Sequence, residues 1–208
     1  MNLELAHAIN EAHLVSEPTP CGLCGHDVQF YRSEEFLVRA VTDFLAAGVK
    51  AGQPLVVIAT EAHREAFAAS LRERGLDTEE LLSGREAVWL DARNALDAFM
   101  EGSRPNRELF MATIGAVFER LLDKRNYLIV RGYGEMVDLL ARDGNYQGAI
   151  ALEGLWNELA ERYSYSLMCG YAVGNFLHAG GPESLISICE QHSRALQVER
   201  GIVPERAD

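Results

Sequence analysis

Residues 54–75 read PLVVIATEAHREAFAASLRERG, and this stretch decides the fold. Leu55-Val56-Val57-Ile58-Ala59 is an unbroken apolar run introduced by Pro54. A strand with one wet face alternates apolar and polar residues. One that is apolar throughout is covered on both faces, as in a parallel sheet between two helical layers. The run passes through Thr60 into a helix expected over about 61 to 74 and closed by Gly75.

The same alternation extends in both directions. Upstream, Val28-Gln29-Phe30-Tyr31 is rich in strand formers. Ser33 offers an N-cap, Glu34 and Glu35 suit the positive end of a helix dipole, and Phe36, Leu37, Ala40, Val41, Phe44 and Leu45 repeat at helical spacing up to Gly48. Downstream, Ala87-Val88-Trp89-Leu90 is a third strand ending at Asp91, followed by helical segments over about 94 to 101 and 106 to 123. Tyr127 to Val130 is a fourth strand running into Arg131-Gly132-Tyr133-Gly134-Glu135. A helical stretch from Val137 breaks near Gly144-Asn145 and resumes to Tyr163. Tyr165 to Cys169 is a fifth strand, and residues 183 to 196 a last helix. Strands alternating with helices imply right-handed crossovers and an α/β, doubly wound, mostly parallel sheet of five or more strands flanked by helices. One domain is expected over residues 21–197, after an N-terminal helix or linker over 1–20 and before a polar tail or linker over 198–208.

Composition narrows the function. A net charge of −12 repels phosphate backbones and anionic lipid surfaces, which argues against direct nucleic-acid or membrane binding. No apolar run approaches a bilayer span and the N-terminus has no basic start, so a cytoplasmic location is expected. Phosphate-loop chemistry lacks its residues. Lys50 and Lys124 are the only lysines, neither follows the required glycine, and Tyr31-Arg32-Ser33 has no glycine to let the backbone curl round an anion. Both G-x-G-x-x-G and G-x-S-x-G are missing.

In an open parallel sheet, ligands gather at the carboxyl ends of the strands. Those ends are expected to present Tyr31, Thr60 with His63 and Arg64, Asp91, Arg131 with Glu135, and Cys169 with Tyr171. Glu135 follows two glycines that permit close backbone approach. Cys21-x2-Cys24-x-His26 could donate three ligands to zinc, with a fourth from Cys189 or His192, which share a helix face. The alternative at these positions is unpaired thiols and a structural histidine.

The strand-end residues occur in a recognisable order: His26-x-x-Gln29-Phe30-Tyr31, Ala59-Thr60-x-x-His63-Arg64, Leu90-Asp91-Ala92, Arg131-x-x-Gly134-Glu135-Met136-Val137, Leu152-Glu153-x-x-Trp156-Asn157, Leu167-x-Cys169-x-Tyr171 and Ile188-Cys189-x-x-His192-Ser193. This set resembles the MEDS domain, the methanogen/methylotroph DcmR sensory domain, over about residues 24 to 193. The resemblance implies a RecA/KaiC-like fold without a working phosphate loop. It also implies a prokaryotic signalling role that senses simple hydrocarbon derivatives or related small molecules, with a histidine kinase or transcription regulator as partner. It singles out His26, Tyr31, Thr60, His63, Glu135, Cys169, Tyr171 and His192 as sensing residues. Two other readings stand beside it. One is a degenerate ATPase-fold scaffold for docking or homo-oligomerisation; the other is an enzyme using Glu135 with His63 or His192 as acid and base.

Overall fold

The computed structural model describes residues 24–83, 86–123, 129–177, 180–196 and 199. The expected N-terminal segment, Cys21 and most of the tail lie outside these.

The apolar run at Leu55–Ala59 is buried at every position, as its composition demands. It is strand β2 of a sheet whose other members are β1 (Gly25–Tyr31), β3 (Ala87–Asp91), β6 (Val130–Gly134), β7 (Tyr165–Ala172) and β8 (Arg194–Ala195). The order is β3-β2-β6-β7-β1-β8, and every neighbouring pair is parallel. A separate two-stranded hairpin joins β4 (Met100–Glu101) to β5 (Arg104–Pro105).

Two helical layers cover the sheet. Helices α1 (Glu34–Lys50), α2 (Glu61–Glu73) and α3 (Thr78–Leu82) pack Leu37, Val41, Leu45, Phe67, Leu71 and Leu81 on Leu55, Val57 and Ala59. The opposite face carries α4 (Ala92–Asp97), α5 (Arg107–Phe110) leading through a π turn into α6 (Ala116–Asp123), α7 (Met136–Arg142), α8 (Tyr146–Ala160) and α9 (Gly181–Glu190). There Trp156 meets Phe110 edge-on at a centroid distance of 5.2 Å, inside a core that includes Val28, Phe30, Val56 and Leu167.

Three expected boundaries are corrected. The fourth strand is described over Val130–Gly134 (Tyr127 and Leu128 lie outside the described residues), so Arg131 lies near its amino end, paired beside Leu55, away from the carboxyl-end crevice where it was expected. The last helix stops at Glu190, and Arg194–Ala195 add a sixth strand beside β1, held by Arg194 on the buried Asp27 carboxylate at 2.6 and 3.0 Å. The segment expected as helix over 94 to 101 ends at Asp97 and gives way to the hairpin.

The strand order fixes where a site can form. Chain leaving β1 and β2 moves toward the β3 edge over one face; chain leaving β6 and β7 moves toward the β8 edge over the other. The neighbours β2 and β6, and likewise β7 and β1, therefore send their exits in opposite directions. A crevice opens at the carboxyl ends between such strands.

Candidate functional site

Glu135 is the first residue after β6, at the β2/β6 switch point, and only 3% exposed. Its Oε1 accepts the Thr60 N–H, the amide that follows β2, at 2.5 Å. Its Oε2 accepts from the Tyr133 hydroxyl at 3.0 Å and lies 2.5 Å from His63 Nδ1 on the first turn of α2. The other ring nitrogen, Nε2, lies 2.5 Å from Oε2 of Glu34, which opens α1 and is 70% exposed. Burial alone would disfavour a charge on His63, but hydrogen bonds and charge from Glu135 and Glu34 outweigh it and raise its pKa to about 9. At neutral pH the ring is an imidazolium that donates both N–H groups to carboxylates.

The β7/β1 switch point carries a second acid. Asp138, in the first turn of α7, accepts from Ala172 N–H at 2.8 Å and Asn175 Nδ2 at 2.7 Å, and the Tyr31 hydroxyl reaches its other oxygen at 3.5 Å. Burial raises the Asp138 pKa to about 6, against the lowering effect of those two donors. Tyr31 is itself pushed far up, chiefly by burial and then by Asp138. The crevice thus holds a cation, His63, among carboxylates of graded burial. Beside Asp91 at the β3 edge, an open groove of about 410 Å³ is lined by Trp89, Leu90, Asn94, Thr113, Ile114 and Val117.

Through the sheet, on the α8 side, lies a different cluster. His26, Glu153, Cys169 and His192 are all buried, with one donor atom from each within 4.8 Å of all the others. His26 Nε2 is 3.1 Å from Glu153 Oε2 and 3.3 Å from Cys169 Sγ, and Tyr171 donates its hydroxyl to Glu153 Oε1 at 2.7 Å.

With both sites in view, comparison with known families is decisive: the model of MEDS, the MEthanogen/methylotroph, DcmR Sensory domain, matches residues 25–192. The chain belongs to the MEDS family. No curated protein matches it.

The MEDS fold sorts the residues singled out from sequence into separate places. Tyr31, Thr60, His63 and Glu135 meet in the crevice. Arg64 sits beside it, its Nε donating to Ala59 O and its Nη2 to Asp91, which caps α4. Arg131 lies at the far end of the sheet, 4.5 Å over the Phe44 ring and hydrogen-bonded to Gln53. Cys169, Tyr171 and His192 point to the opposite face and join His26. Of the expected zinc ligands, His26 and the alternative fourth ligand His192 fall together with Glu153 and Cys169, Cys24 and Cys189 are not in that group, and Cys21 lies outside the described residues. Glu34, Tyr133, Asp138, Glu153 and Asn157 went unassigned. Glu153 and Asn157 had a readable signal: they are one helical turn apart on a helix that otherwise buries Ala149, Leu152 and Trp156.

Proposed function

We propose that this MEDS chain is a non-catalytic sensory domain that binds a small molecule, such as a simple hydrocarbon derivative, in the crevice at the carboxyl ends of β1, β2, β6 and β7. The carrying observation is His63, held between Glu34 of α1 and Glu135 just after β6 at the switch point. A ligand that displaces the exposed Glu34 frees one imidazolium N–H, and the position of α1 relative to α2 then reports occupancy to a histidine kinase or transcription regulator. The scaffold is read as a RecA/KaiC-type sheet without its phosphate grip. The amides of Arg32 and Ser33 before α1 are taken by the chain's own Glu199 carboxylate at 2.7 and 3.0 Å, so that position already holds an anion, while Ser33 caps the helix.

Acid–base catalysis is disfavoured by the same geometry. An imidazolium has no lone pair to act as base, and as an acid both of its N–H groups are already given to Glu135 and Glu34, leaving neither aimed at a substrate. A scaffold for association, including a homo-oligomer, has one observation behind it: Tyr31 is buried in the crevice it would otherwise leave open.

Calorimetry and thermal-shift screening with one-carbon compounds, small organics and nucleotides test the reading. The expected result is a stabilising ligand whose effect is lost in His63→Gln and Asp138→Asn. A blank panel together with a stable oligomer by light scattering favours the scaffold. Turnover of magnesium triphosphate overturns the reading altogether.

A further inference from the structure

We propose that His26, Glu153, Cys169 and His192 form a structural metal site for a borderline divalent cation, zinc foremost. The site is independent of the crevice, and its fate does not decide the sensory reading.

The first argument is where the lone pairs point. Asn157 gives its Nδ2 to the Gln191 carbonyl at 3.0 Å, so its Oδ1 faces His26 Nδ1 at 2.9 Å and can only accept. His192 Nδ1 lies 2.7 Å from the Ile188 carbonyl, again a pure acceptor. Each Nδ1 therefore carries the proton, and in the neutral rings both Nε2 lone pairs face the cluster interior. His192 Nε2 is fully buried there without a hydrogen-bond partner, 3.4 Å from Glu153 Oε1. Two imidazole Nε2 atoms, a carboxylate and a thiol thus converge in a dry interior; the thiol proton goes to Glu153 Oε2 at 3.4 Å, and one cation at their centre would engage all four groups together. Outer acceptors that orient ligating histidines are a regular feature of protein metal sites.

The second argument is size. Metal distances of about 2.0–2.3 Å to nitrogen, oxygen and sulfur give tetrahedral edges of about 3.3–3.7 Å. Three of the ligands show such edges, 3.1 Å between His26 Nε2 and Glu153 Oε2, 3.3 Å between His26 Nε2 and Cys169 Sγ, and 3.4 Å between Cys169 Sγ and Glu153 Oε2; His192 lies within 4.8 Å of the others and closes in on an ion at their centre. The third is charge. A dication with one thiolate, one carboxylate and two neutral imidazoles sums to zero, the condition under which burial costs least. The mixed nitrogen, sulfur and oxygen donors suit zinc and not calcium or magnesium, and four protein ligands leave no open position, which marks a structural role.

The same residues contain a Cys169–His26–Asn157 line that invites a nucleophile reading. Cys169 is wholly buried, and burial with the adjacent Glu153 drives its thiol pKa up, the reverse of an activated thiolate.

The test is made on the full chain, stripped with chelator and titrated with zinc or cobalt(II). One equivalent is expected to bind and raise the thermal midpoint, and the cobalt form to show tetrahedral d–d absorption with a thiolate charge-transfer band. X-ray absorption of the wild-type zinc form should give one sulfur with nitrogen and oxygen neighbours, a readout that needs no variant. Cys169→Ser should abolish the charge-transfer band, and Asn157→Ala should weaken binding about 10–100-fold. The double variant Cys24→Ser/Cys189→Ser should retain the band. Absence of bound metal, a sulfur-free coordination shell, or a band lost with Cys24 and Cys189 overturns the assignment.

Discussion

At the scale of single residues, the crevice turns on unequal burial of two carboxylates around one ring. Glu135 is 3% exposed and Glu34 70%, so they contribute differently although each lies 2.5 Å from His63. Glu34→Gln should cost under about 1 kcal/mol in urea unfolding at pH 7, the ordinary scale of an exposed pair. Glu135→Gln leaves a partly buried imidazolium facing a neutral amide and should cost about 2–4 kcal/mol. Because the folded pKa of His63 is raised to about 9, its contribution is fully present below pH 6.5 and lost as pH rises toward 9. Stability should therefore fall between pH 7 and 9 in the wild type, and more shallowly in His63→Gln. Asp138 has the opposite consequence. Its folded pKa near 6 lies above the unfolded value of 3.8, so ionising it opposes folding, and that cost grows from about pH 4 to pH 6 and persists above. Asp138→Asn keeps an oxygen for Ala172 and Asn175 and should be neutral or stabilising at pH 8, with the pH dependence across that window flattened. Thr60 and His63 were legible because the apolar run of β2 leads straight into them, and Glu135 because it follows the glycines Gly132 and Gly134. Glu34 and Asp138 were not, because at their positions a helix dipole is sufficient reason for an acid.

At the scale of elements, β7 shows how one strand serves both sites. Cys169 and Tyr171 face α8, while the intervening Gly170 lies under Tyr133 on the α1 and α2 side. A Cβ on Gly170 would stand 2.6 Å from the Tyr133 hydroxyl, the group that donates to Glu135. Gly170→Ala should push Tyr133 off the carboxylate, cost about 1–3 kcal/mol through overpacking, and reduce ligand response without touching any crevice charge. Denaturation together with the ligand titration checks both halves. Strands β2 and β3 were readable to within a residue because their apolar runs have sharp polar borders. β8 was not, since Arg194–Ala195 carry no strand signal of their own. They are extended because Ser193 N–H bonds to His26 O, Leu196 N–H to Val28 O, and Arg194 to Asp27, all contacts made across the whole length of the chain.

At the scale of the molecule, alternating periodicity announces a parallel α/β sheet but not its strand order. Order is set by which neighbours each crossover skips, and β1 reaches β2 past two strands that are made only later in the chain. The switch points, and with them the separation of crevice from buried cluster, follow from that skip and so were beyond a linear reading. The same closure bears on where the folding unit ends. The family match stops at residue 192, whereas β8 begins at Arg194. A chain cut after His192 keeps every crevice side chain named above yet turns β1 into an edge strand, with the Asp27 carboxylate buried and its guanidinium partner gone. Arg194 is itself 58% exposed, so losing it costs less than breaking a fully buried ion pair, about 1–3 kcal/mol for a buried acceptor left without its donor. Residues 1–192 should accordingly unfold well below residues 1–196 in a thermal melt, and Asp27→Asn should recover part of the difference in the shorter chain while destabilising the longer one. Equal melting of the two lengths would mean that β8 contributes nothing and that the sheet is complete with five strands.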